Sequence, residues 1–190
     1  MFNDTSSATA LLATRRSGKP RDMVAPGPDE AQLGHILATA IRTPDHGKLA
    51  PWRIVVIDQD RRAAFADLLR AAYLAQKPTA SAKELEAADQ FAYQAPTLVV
   101  VLSAPVLGKI ELWEQELSAG AVCMNLLAAT HAAGFVGGWL TTWAAYSDMV
   151  RDALGGGPDD RIAGFMFIGT PSRPLDERPR PTLDSVVTRW

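Results

Sequence analysis

Arginines dominate the chemistry that this sequence can offer. In "TRRS", Arg15, Arg16 and Ser17 set two guanidinium forks and a hydroxyl side by side, the donor set that a phosphate monoester requires. A competing reading makes both arginines a cap on the preceding helix, whose C-terminal end favours cations. A second group lies in "RTPDHGKLAPWRIVVI", residues 42–57. Pro44 and Pro51 stiffen that segment and Gly47 permits an unusual backbone angle, so a rigid loop should present Arg42 and His46 to a phosphate or a polar heterocycle. The alternative is a tight turn in which Asp45 bonds its own backbone. A third group, "GFVGGWLTT", joins Gly137 and Gly138, which admit a flat ligand, to the aromatic face of Trp139 and the hydroxyls of Thr141 and Thr142. Its competitor is a glycine-kinked strand over a packed core.

Other chemistries lack their patterns. No two histidines share metal-ligand spacing, and His35 and His131 sit in apolar helical context, so no metal site is expected. His131 reads as a satisfied histidine near a helix end. The sequence has no GxSxG elbow, and Cys123 stands between Val122 and Met124, where a thiol is inert packing. The glutamates of "ELWEQE" could act as an acid–base pair, but their place in a first helical turn is explained by the dipole. GxGxxG is absent, which removes support for a Rossmann dinucleotide site. No catalytic side chain emerges.

The elements that must hold these groups alternate along the chain. Helical period or capping signals mark 5–14, 29–41, 61–75, 83–93 and 110–133, while apolar β-prone runs mark strands at 52–57, 97–103, 135–143 and 162–171. Asp4 or Thr5 should cap the first helix, with Leu11 and Leu12 facing inward. The helix at 110–133 is apolar on nearly every face beyond Ala119, and a chain of 190 residues has little interior to surround it. A second protomer would supply the cover. Beyond Pro171, prolines at 174, 179 and 181 make an extended arm that ends in "SVVTRW", a β-prone run with no local partner.

Composition bounds the rest. Apolar residues form 47% and charged residues 21% of the chain, as in a globular domain that buries a core. A net charge of -2 gives no global attraction to nucleic acid or an anionic membrane, so any positive site must be local. The lone cysteine excludes an intramolecular disulfide. The apolar runs are too short to span a bilayer, and the arginines follow the first apolar run instead of preceding it, so a cytoplasmic location is expected.

The order "LLATRRS", "IRTPDHGKLAPWRIVVI", "WEQELSAGAVCMNLLAATHAAGFVGGW" and "GFMFIGTP" resembles the compact branch of the FMN-dependent nitroreductase family, from about Leu11 to Trp190. The resemblance implies one domain, 1–190, of α+β class, with a mixed central sheet flanked by helices. It also implies a homodimer that exchanges C-terminal arms and builds two FMN sites at its interface. By the same likeness Arg15, Arg16 and Ser17 hold the FMN phosphate and ribityl chain, Arg42 and His46 make further contacts, and Arg173 reaches the phosphate. Trp139, Leu140 and Thr141 line the ring, with Leu140 standing where many relatives carry arginine, and residues 129–134 adjoin the nicotinamide. The implied reaction is ping-pong: hydride passes from NAD(P)H to flavin N5 and then to a small electron-poor acceptor such as a nitroaromatic or quinone. A flavin-binding or sensing protein without turnover is the alternative.

Overall fold

The computed structural model describes residues 2–190. Five strands, β1 (Met23–Val24), β2 (Trp52–Ile57), β3 (Thr97–Ser103), β4 (Val136–Leu140) and β5 (Arg161–Pro171), form one sheet. Its order is β1-β5-β3-β2, with β4 also paired to β5. Every pairing is antiparallel, which corrects the expected mixed sheet for the single chain. The reason is β5: Phe165 faces both Val100 of β3 and Leu140 of β4. Strands β3 and β4 therefore run in the same direction, as a helical crossover requires, but β5 lies between them and runs the other way.

Helices cover both faces. Alternation along β3 sends Leu98, Val100 and Leu102 to one side and Val99 and Val101 to the other, all fully buried. The first side packs on Phe65 and Leu69 of α3 (Arg62–Gln76) and Phe91 of α4 (Ala82–Tyr93). Here Phe91 meets the rings of Phe165 and Phe167 edge-on at 5.2 and 5.1 Å, an arrangement that adds about 0.5–1.5 kcal/mol per pair beyond burial. The second side packs on Ile36 and Ala40 of α2 (Glu30–Ala40) and on Val122, Cys123 and Leu126 of α5 (Leu112–Ala132). A strand covered twice reads as an unbroken apolar run, which is why "TLVVVLS" marks β3 without its periodicity showing.

Local chemistry sets the ends. Ser7, not Asp4 or Thr5, caps α1 (Ala8–Thr14), because the Asp4 carboxylate accepts from the Ser6 N–H instead. Leu11 is buried as expected, but Leu12 is exposed. Asp29 with Gln32, and Ser81 with Glu84, close reciprocal capping boxes on α2 and α4. Gly134, at φ +87°, ends α5 in the left-handed region that favours glycine.

One expectation fails at the C-terminal side. The third strand stops at Leu140, where the chain turns into a 3-10 segment at Trp143–Tyr146 and then α6 (Asp148–Ala153). "SVVTRW" forms no strand within the chain. Ser185 and Val186 close a four-residue helix, α7 (Leu183–Val186), and the residues after it are exposed. Helix α5 is only partly covered. Trp113 and Leu117 remain 67% and 54% exposed, and Met124 continues their stripe. No helix among the described residues is long and apolar enough to cross a membrane.

Candidate functional site

The segment after α1 crosses β4 and makes one wall of a cleft of about 420 Å³. The Gly18 N–H donates to the Gly137 carbonyl at 3.1 Å. A Cβ at Gly138 would stand 2.7 Å from the Gly18 carbonyl oxygen, so only glycine lets the two backbones cross this closely. The close approach foreseen for a ligand at "GG" is thus taken by the protein itself, since a Cβ at Gly137 would meet Leu127 at 2.8 Å.

Six of the nine residues expected at the site line this cleft: Arg15, Arg16, Ser17, Trp139, Leu140 and Arg173. Arg15 Nη1 donates to Ser17 Oγ at 3.1 Å. Burial, then the neighbouring Arg180 and Arg16 cations, lower the Arg15 pKa. Arg16 is held from several sides: its N–H donates to Asn3 Oδ1, its Nη1 to the Arg15 carbonyl, and its guanidinium lies 4.9 Å from the Phe2 ring centroid. Arg16 therefore does bond the helix-end backbone, as the capping reading supposed, while its Nη2 reaches Glu177 across the cleft. Its buried Nε has no acceptor. Arg173 pairs with Asp22.

Leu140 and Trp139 point to opposite faces of the sheet. Leu140 joins the Phe165 and Phe167 side. The Trp139 indole lies across Gly164 and donates to the Ala163 carbonyl at 2.9 Å. Its N–H is thereby committed within the protein, and the ring is 37% exposed.

Arg42, His46 and Thr141 are not brought to this cleft. Arg42 and His46 sit on their own loop, which α5 holds through side-chain bonds. Ser118 Oγ donates to the Pro44 carbonyl at 2.7 Å, Asn125 Nδ2 to the Arg42 carbonyl at 3.0 Å, and His46 Nδ1 stands 2.6 Å from Glu114 Oε2. Asp45 accepts from the N–H groups of Leu49 and Ala50, so the tight-turn reading is also met. Arg42 and His46 are exposed, beside the uncovered stripe of α5. Thr141 is exposed where β4 has ended.

His131 corrects a further expectation. It is 1% exposed, and neither ring nitrogen has a hydrogen-bond partner. Burial, assisted by the Arg15 cation, pushes its pKa down to about 4. Ala129, Thr130 and His131 are all buried, so within the chain only residues 132–134 of that stretch are open to a nicotinamide.

The sequence reading missed six of the nine charged residues that line the cleft. Lys19 and Asp22 come from one wall, and Asp176, Glu177, Arg178 and Arg180 from the arm. Lys19 Nζ donates to Asp176 Oδ2 at 2.9 Å. The signal for Lys19 was visible as three cations within five residues, "RRSGK". The arm residues gave none, because nothing local ties position 176 to position 19. Together the cleft gathers six cations against three carboxylates, in a chain whose net charge is negative. Such a concentration of guanidinium groups is suited to an anion with several oxygen acceptors.

A family model described as "Nitroreductase family" matches residues 12–170. This chain belongs to the nitroreductase family. Among curated relatives of this nitroreductase-family chain, "Putative NAD(P)H nitroreductase YdjA" of Escherichia coli K12 is 34% identical over 165 residues, covering 86% of this chain and 88% of the relative. A similarly named protein of Haemophilus influenzae matches at the same identity and coverage. The family and these relatives make the chain an oxidoreductase. Solved structures share the fold: a nitroreductase-like protein from Bacillus cereus superposes with a TM-score of 0.85 at 18% identity, over 97% of this chain and 96% of that one. A variant of the FMN- and NADPH-dependent nitroreductase NfnB, from Sphingopyxis sp. strain HMH, gives 0.74 at 22%, over 96% and 98%.

Proposed function

We propose that this nitroreductase-family enzyme binds FMN and uses it to carry reducing equivalents from NAD(P)H to a small electron-poor molecule. The observation that carries the reading is the excess of three cations over carboxylates in a cleft of about 420 Å³, a volume ordinary for a small-molecule or cofactor site. The unfilled Arg16 Nε fits a ligand that brings one more oxygen acceptor than the protein supplies. The names of YdjA and NfnB, which carry NAD(P)H or FMN with NADPH, favour the same pair of cofactors.

In this reading Arg15, Arg16, Ser17 and Arg173 bind the phosphate monoester, and the β4 end at Trp139 and Leu140 borders the ring. When bound, FMN supplies the two-electron chemistry, accepting hydride from the nicotinamide and returning it to the acceptor. The side chains then have to bind and orient, and no general base is required of them. Leu140 places no charge against the ring and shields that side from water.

A homodimer completes the site. The exposed stripe Trp113, Leu117 and Met124 on α5 is the face that a second copy covers, and Arg42 and His46 beside it then serve the partner's cleft instead of their own. The exposed Leu183, Val186 and Val187 of the arm find their cover on the same partner.

An absorption spectrum of the purified protein tests this directly. Flavin bands that bleach on adding NADH or NADPH, and return with a nitroaromatic or quinone, are expected. Flavin bands that no nicotinamide bleaches would instead identify a flavin-binding protein without turnover. A colourless protein that cannot be reconstituted with FMN would refute the reading altogether.

A further inference from the structure

The cleft contains its own anions. Asp176 and Glu177 lie on the arm just beyond β5 and reach back across 157 and 161 residues to Lys19 and Arg16. Leu175 fixes the arm there, packing against the first core and standing 3.7 Å from where a Cβ on Gly18 would be. The two cations on the phosphate wall are thus neutralised by the protein. Each pairing also holds its carboxyl below the usual carboxylate range, through the Arg16 hydrogen bond for Glu177 and the Lys19 hydrogen bond for Asp176.

The Glu177 pairing leaves a donor unused. Both carboxylate oxygens crowd on Arg16 Nη2, and the neighbouring Nε is left buried without an acceptor. A guanidinium is best satisfied by two parallel bonds from two of its nitrogens. A phosphate monoester, with three acceptor oxygens and a charge of about −1.5 to −2 at pH 7, can serve more of these donors than one carboxylate does.

We propose that Asp176 and Glu177 are an internal stand-in for the ligand's phosphate, which a phosphorylated ligand must displace from Arg16 and Lys19 and an unphosphorylated one need not. The proposal rests on the flavin reading for the ligand's identity and on the geometry above for the exchange. A phosphorylated flavin takes Arg16 and Lys19 from the arm. Riboflavin, which has the ring and ribityl chain without the phosphate, leaves both pairs in place and gains nothing from them.

The test compares the flavin-stripped full chain with the double variant Asp176→Asn, Glu177→Gln, titrated with FMN, riboflavin and inorganic pyrophosphate. Removing two competing pairs, each of the weak exposed kind, should tighten FMN binding about tenfold. Pyrophosphate, which carries the anion without the ring, should tighten by a similar factor, and riboflavin should not change. FMN and pyrophosphate affinities that stay the same or weaken overturn the proposal, as does a riboflavin affinity that rises in step with FMN. If the wild-type chain binds pyrophosphate but no FMN, the flavin reading falls, and the pyrophosphate comparison still decides the exchange. If neither is bound, both fall.

Discussion

Arg62 stands at the start of α3, where an arginine would ordinarily be solvated, yet it is only 2% exposed and no carboxylate pairs with it. Its Nε donates to the Ile57 carbonyl at 2.9 Å, Nη1 to Ala92 at 2.6 Å and Nη2 to Pro96 at 3.3 Å. The Ala92 carbonyl needs this donor because the residue four places on is Pro96, which has no N–H to offer. Replacing Arg62 with methionine keeps much of the apolar stem and removes all three bonds. Hydrogen bonds from a charged donor contribute about 1.5–3 kcal/mol each. Relief of the several kcal/mol spent on desolvating a buried cation offsets a large part of that sum. Pro96 also keeps the Gln59 side-chain donor. A net loss of about 3 kcal/mol is expected, which for a chain of this size lowers Tm by roughly 6–12 °C. Urea titration at fixed protein concentration, supported by a thermal melt, measures it. Arg62→Lys should recover less than half, since one ammonium cannot span three carbonyls. A methionine variant within about 1 kcal/mol of wild type would refute the claim that this guanidinium ties β2, α4 and the approach to β3 together.

Three further outcomes are expected. The buried His131 stays neutral to about pH 4 in the folded state against 6.5 when unperturbed, so the unfolded chain gains a proton that the native chain refuses. Stability should therefore fall as pH drops from about 6.5 towards 4, by up to about 3 kcal/mol from this residue, and urea midpoints of His131→Leu should show a correspondingly shallower acid slope. Leu117→Arg, placed in the uncovered stripe of α5, should convert the proposed dimer to monomer in light scattering without unfolding it; a dimer that survives would remove that face from the interface. Cys123, fully buried with its pKa pushed by burial up to about 12, should resist a thiol reagent in the native protein and react promptly in denaturant.

What the sequence disclosed was whatever a short window can encode. Strands β2 and β3 match their expected limits to the residue, because each is a β-prone apolar run closed by turn or helix signals. The five expected helices come within a few residues for the same reason, whereas α6 and α7 were not foreseen. Strand β1 escaped notice since two residues carry no pattern and exist as a strand only through Pro171 and Thr170. The antiparallel sense of the sheet was hidden as well, because a β–α–β order fixes the direction of β3 and β4 but not which strand enters between them. At the site, neighbours in sequence such as Arg15, Arg16 and Ser17 were legible, whereas Lys19 with Asp176 depends on where a distant arm lands. The burial of Arg62 was equally invisible: two arginines open that helix, and only packing decides which one turns inward.

Strand β5 is the hub on which three other strands hang, and it is also the last strand along the chain. A nascent polypeptide can pair β2 with β3 early, but it cannot close the sheet until Pro171 has cleared the ribosome. Until then β3 and β4 both present an open edge to their surroundings, which is where unpaired strands are most exposed to aggregation. Cutting the chain short by a few dozen residues would thus remove the seam of the whole molecule, not merely trim its margin.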